Sequence, residues 1–204
     1  VAVEFFYQFL GDLFGSPSIG GLWEVKWINV LTCVSFLAVA TWVAYRGITT
    51  TERVQFVLVG FQLSILLIFA VLAIAKSGSV STGVDFSWDW FSPAGLPLSA
   101  FIAGLSGSIF AFWGWDTCLT VNEESKGAAK TPGRAALLTV ISILLTYLIV
   151  ATATQMYAGV GDEGVGLGNE DNASNVFGEL ALPILGSPWR LFLYLAVLAS
   201  SVAS

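Results

Sequence analysis

The sequence predicts an all-α polytopic membrane protein. Only 11% of its 204 residues are charged and 56% are hydrophobic, whereas an ordinary soluble domain carries about 25% charged residues. Mean hydropathy is +0.81. Four apolar runs each approach or exceed the roughly 20 residues that a helix needs to cross a bilayer. An open sheet would leave its edge unsatisfied in lipid, so helices are the expected spanning element. This composition excludes a disordered chain and a nucleic-acid binder. The chain has no histidine, and therefore no imidazole for zinc, haem or a Ser-His pair. Cys33 and Cys118 sit in apolar runs and read as small buried hydrophobes rather than a disulfide.

The elements follow in order. Residues 1–10 are the end of a partial span, and both ends of the chain fall inside apolar runs. The chain therefore reads as one transmembrane domain, 1–204, that is an interior piece of a longer protein. Full spans are expected at 27–45, 54–75, 97–121 and 135–158, and a partial one at 191–204. The loops between them alternate in charge. Five of the eight basic residues (Arg46, Arg53, Lys126, Lys130, Arg134) fall in loops 46–53 and 122–134. The stretch from Gly159 to Pro188 instead carries Asp162, Glu163, Glu170, Asp171 and Glu179. Basic loops stay inside, which makes 46–53 and 122–134 cytoplasmic and the protein a multi-pass component of the cytoplasmic (plasma) membrane. Trp23, Trp27, Trp88, Trp90 and Trp189 then lie near outer span ends, as an aromatic belt would. Gly159 to Gly168 reads as a flexible, acidic outer loop.

The third span carries the chemistry. Residues 97–125 as one straight helix would extend ~43 Å against a ~30 Å hydrocarbon core. Gly104, Gly107, Gly114 and the run Phe110-Ala111-Phe112-Trp113-Gly114-Trp115-Asp116 fall within it. One reading is a tilted continuous helix whose aromatic residues form an inner belt; Gly104, Gly107 and Ala111 suit a close helix-packing face with or without a break. The other is a helix broken near 110–115, which lipid tolerates only where freed backbone groups meet a cavity or ligand. Asp116 is the only charge inside a full span. It is either a functional residue on a water-filled path or a carboxylate solvated at the inner interface. Gln62 and Ser64 are polar positions of the second span, as interhelical glue or as part of a site. Ser200, Ser201 and Ser204 either bond back to their own helix or line a site.

At these residues the sequence resembles the amino acid–polyamine–organocation permeases. Tyr45-Arg46-Gly47-Ile48 with Glu52-Arg53-Val54-Gln55 is similar to that family's loop between helices 4 and 5. Phe112-Trp113-Gly114-Trp115-Asp116 is similar to the unwound part of helix 6. Asn122-Glu123-Glu124 with Lys130-Thr131-Pro132-Gly133-Arg134-Ala135 is similar to the inner loop leading into helix 7. The resemblance implies part of a LeuT-like inverted-repeat transporter fold, from the end of helix 3 to the start of helix 8, with a broken helix in the third full span. It implies a secondary active transporter that moves an amino acid or related amine by alternating access, and not an enzyme. It places Phe110 against the substrate side chain and the backbone of Phe110, Ala111, Phe112, Trp113 and Gly114 at the substrate ammonium. Asp116, Gln62, Ser200, Ser201 and Ser204 take coupling or gating roles. Gln62 stands where many proton-coupled members carry lysine, so the coupling ion, H+ or Na+, stays open, and no cofactor is implied. Expected partners are the substrate, the lipid bilayer and the missing N- and C-terminal parts of the same permease. The alternative is a transporter-fold sensor or subunit that binds solute without moving it.

Two motifs are decoys. Gly159-Val160-Gly161-Asp162 matches the GxGD of intramembrane aspartyl proteases, but its aspartate leads an acidic loop instead of facing a second one. The same stretch through Gly164 spells GxGxxG, with no strand expected before it and two acids that would repel a pyrophosphate. Asn172-Ala173-Ser174 fits a glycosylation sequon.

Overall fold

A computed structural model describes residues 2–46, 48–112, 131–172 and 175–203. The longer helices are α1 (Ala2–Phe14), α2 (Lys26–Tyr45), α3 (Ile48–Lys76), α4 (Leu98–Ala111), α5 (Thr131–Ala158), α6 (Val176–Leu185) and α7 (Arg190–Ala203). Short helical turns stand at Pro17–Gly20, Gly21–Glu24, Ser77–Ser79 and Trp88–Phe91. No strand occurs among the described residues. The all-α membrane class expected from composition is what the chain adopts. Among the described residues, three helices are long and apolar enough to cross a membrane: Lys26–Tyr45, Thr51–Ser79 and Thr131–Ala158.

The chain divides into two compact units, one of residues 1–84 and 153–204, the other of residues 85–152. In the first unit α7 packs on α1 and α3, and α6 packs on α3 and α7. Phe69 of α3, Leu180 and Ile184 of α6, and Leu193 of α7 are fully buried. Phe69 meets Phe177 edge-on at 5.6 Å, and Phe5 meets Tyr194 at 5.8 Å, a favoured geometry for ring quadrupoles. Gly11 lets the chain turn back on α1, because a Cβ there would stand 2.7 Å from the Gly20 Cα.

Helix α2 buries none of its residues, and Trp27, Leu31, Leu37 and Trp42 are exposed. A helix that is apolar all round is built for lipid rather than water. Its 20 residues give ~30 Å, the thickness of the hydrocarbon core. The hydroxyls of Thr32 and Ser35 donate to the carbonyls of Ile28 and Leu31 at 2.8 Å, so neither faces lipid unpaired. Arg46 follows the helix and stacks on Trp42 at 4.6 Å.

Several boundaries differ from the sequence expectation. Residues 48–53, read as loop, are the first turns of α3. Helix α5 already includes residues 131–134, ahead of the expected start at 135. Within the stretch read as one long outer loop lies α6, ten residues long. Its Asn175 cap accepts from the Gly178 N–H, and Gly186 ends it with φ 74°. The glycine-rich segment before it closes on itself. Leu167 N–H donates to the Gly159 carbonyl and Gly168 N–H to that of Gly161, both at 3.0 Å, while Asn169 and Asn172 side chains share the Gly164 carbonyl. Gly159 (φ 68°) stands where a Cβ would collide with the Thr82 carbonyl. That segment follows α5, so the GxGxxG stretch has no strand before it.

In the second unit Phe86, Trp88 and Phe91 form a cluster of ring contacts, with Trp90 against Phe86 at 5.8 Å. Ser87 caps the turn by accepting from Asp89 N–H. Helix α4 follows Pro97, and α5 contributes its residues through Thr152.

Candidate functional site

The predicted substrate segment begins at the end of α4. Its 14 residues extend ~21 Å, short of the ~30 Å core. The last helical N–H bond described runs from Phe112 to the Ser108 carbonyl at 3.0 Å. Phe112 has φ −92° and ψ 2°, outside the helical region proper. The final carbonyls of a helix have no partner inside it. That of Ala111 accepts the Tyr147 hydroxyl of α5 at 3.0 Å, and the Phe112 ring meets the Tyr147 ring edge-on at 5.6 Å and 78°. Phe110 is 71% exposed. Gly104 and Gly107 have open space around them among the described residues. Trp113, Gly114, Trp115 and Asp116 lie outside the described residues, as do Cys118 and Ser204.

In the first unit, Gln62, Ser200 and Ser201 come together. They line one cavity of about 140 Å³ between α3, α6 and α7, with Leu66, Phe177 and Val197 among its walls. Gln62 is half-buried, and its amide offers two donors and an acceptor. Ser201 Oγ donates to the Val197 carbonyl at 3.0 Å, which leaves its oxygen lone pairs as acceptors. Ser64, two positions on, bonds the Gly60 carbonyl and is exposed. Phe110, Ala111 and Phe112 belong to the other unit.

Three polar ties went unread in the sequence. Arg190 opens α7 and Asp12 lies near the end of α1, each at the helix end whose dipole disfavours its charge. They neutralise one another: Nη2 donates to Oδ1 at 2.8 Å, a charge-assisted bond, and Nε stands 2.7 Å from Oδ2. The pair borders a cavity of about 500 Å³ with Gln8, Ser16, Trp23 and Tyr194. The second tie joins Asn175 Nδ2 to Glu4 Oε1 at 3.0 Å. The third is Lys76, whose ammonium donates to the carbonyls of Ile184 at 2.7 Å and Pro183 at 3.3 Å, a cation at the negative end of α6. Charge–loop statistics could not show these, because each partner lies more than a hundred residues away in sequence. No group of His, Cys, Asp and Glu able to hold a metal occurs among the described residues.

The model of the family described as amino acid permease matches residues 1–204. The chain belongs to the amino acid permease family. The resemblance drawn from its loops and aromatic run therefore holds. This permease is a membrane protein of an amino acid transporter family, which points away from an enzyme and toward an amino acid as substrate and lipid as surroundings. Neither a curated protein nor a solved structure gives a significant match to the permease.

Proposed function

We propose that this permease carries an amino acid or related amine across the cytoplasmic membrane by alternating access. The observation that carries the reading is the end of α4 at Ala111, in the middle of an apolar stretch that continues toward Asp116. Polar backbone inside a hydrocarbon-length segment is sustained only against a cavity or partner. Such a place suits an ammonium, which seeks carbonyl oxygens, and the aromatic residues Phe110 and Phe112 suit the substrate's side chain. Backbone from Phe110 through Gly114 forms part of the substrate site in this reading, and residues 46–53 and 122–134 face the cytoplasm.

The cavity holding Gln62, Ser200 and Ser201 supports a coupling or gating role for these residues; for Asp116 and Ser204, outside the described residues, the family resemblance alone suggests the same role. Gln62 is neutral at every physiological pH, so a proton cannot be carried there by its side chain. The coupling ion is then either a sodium ion, which seeks neutral and anionic oxygens, or a proton held elsewhere, for which Asp116 is the candidate.

The test is uptake by the intact permease. Gly114→Leu is expected to abolish accumulation of radiolabelled amino acids while the protein still reaches the membrane; wild-type uptake would overturn the substrate-site reading. Asp116→Asn is expected to flatten the dependence of uptake on external pH, and an unchanged profile would remove Asp116 from coupling.

A further inference from the structure

Tyr147 stands sixteen positions into the 28-residue helix α5, near its middle. A hydroxyl at that depth costs free energy unless it is bonded. Tyr147 gives its proton to the Ala111 carbonyl at 3.0 Å. That carbonyl is the last of α4 and lies in the segment assigned above to the substrate ammonium. One of its two lone pairs is thus taken by the phenol.

The consequence concerns the phenol oxygen. Once its proton points at a carbonyl, its lone pairs point elsewhere, and donation makes that oxygen a stronger acceptor. It is held in place by two independent contacts, the hydrogen bond to Ala111 and the edge-on packing of its ring against Phe112. The residue is 45% exposed, and its bond to Ala111 is itself exposed, which leaves room for a ligand beside the phenol. A fixed neutral acceptor beside a helix end fits a group with several N–H donors and positive charge, and charge-assisted bonds of this kind are about twice as strong as neutral ones.

We propose that Tyr147 is a substrate-binding residue: its phenol oxygen, aimed by the Ala111 carbonyl, accepts a hydrogen bond from the substrate ammonium. This inference rests on the substrate-site reading given above. It also revises one detail of it, since Ala111 then acts through Tyr147 as a relay that sets where the acceptor stands.

The experiment uses the intact permease and, as probe, whichever radiolabelled L-amino acid or putrescine the wild type accumulates fastest. Tyr147→Phe keeps the ring against Phe112 and removes only the oxygen. The expected result is a KM raised about tenfold, the size of one ammonium hydrogen bond, with maximal rate and detergent melting temperature close to wild type. A second readout isolates the chemistry. N-methylation of the probe removes one N–H donor, and the resulting loss of competition should be smaller in Tyr147→Phe than in wild type. An unchanged KM, or a fall in maximal rate together with the melting temperature, would overturn the assignment and leave Tyr147 a packing residue. Gly114→Leu in the same assay separates the two failures. If it abolishes uptake while Tyr147→Phe leaves KM alone, only Tyr147 falls; if it leaves uptake intact, the site reading falls with it.

Discussion

The unit of residues 1–84 and 153–204 and the unit of residues 85–152 solve the same problem differently. In the first, α1, α3, α6 and α7 bury whole side chains, with Phe69, Leu180, Ile184 and Leu193 shut away from solvent. Its polar groups are tied across long stretches of sequence by charge, as in Asp12 with Arg190 and Lys76 with Ile184. In the second, α4 buries no residue, and among the described residues the carbonyl at its end accepts a neutral bond from Tyr147. Charged ties are strong, and a carboxylate or ammonium stripped of its partner in a low-dielectric setting is costly. A single O–H to carbonyl bond is worth about 1 kcal/mol net and can be exchanged for another partner at little cost. The first arrangement suits a frame, the second a place where a ligand trades bonds with the protein.

That contrast can be broken from the side of the frame. The largest effect is expected for Phe69→Ala, which empties a fully buried ring site and should cost about 3–5 kcal/mol, seen as a large drop in detergent melting temperature. Next, Lys76→Met leaves the last carbonyls of α6 without their cation. It should cost about 1–2 kcal/mol and raise amide hydrogen exchange across 176–185 while α2 is unchanged. The smallest effect is expected for Ser64→Ala. Its hydroxyl only bonds back to its own helix, so the change in melting should stay within about 0.5 kcal/mol. A Ser64→Ala loss as large as that of Phe69→Ala would erase the distinction between packed frame and exchangeable bonds.

How far the sequence could be read depends on which forces act locally. Helix α2 was legible nearly to the residue, since a run free of charge between Lys26 and Arg46 leaves little choice in lipid. The start of α3 was not, because Glu52 and Arg53 look like loop charges until the helix is seen to extend past the apolar run. Helix α6 was missed although Asn175 and Gly186 are ordinary cap residues; ten residues are too few for a span, and acidic neighbours drew the whole stretch into a loop. Of the candidate site, Gln62, Ser200 and Ser201 were picked out as polar residues in apolar runs, and they share a cavity. Neither the Tyr147 bond nor the Asp12–Arg190 pair leaves a trace in spacing or composition, because both arise only when distant helices are laid side by side.

The two attachments of α6 have a mechanical consequence. Its leading end hangs from Glu4 on α1 and its trailing end from Lys76 on α3, as a plank rests on two piers. A plank so supported cannot be lifted at one end without loading the other. Amides of 176–185 should therefore open to solvent together, in one kinetic event, and either anchor lost would turn that single event into progressive fraying from the loosened side.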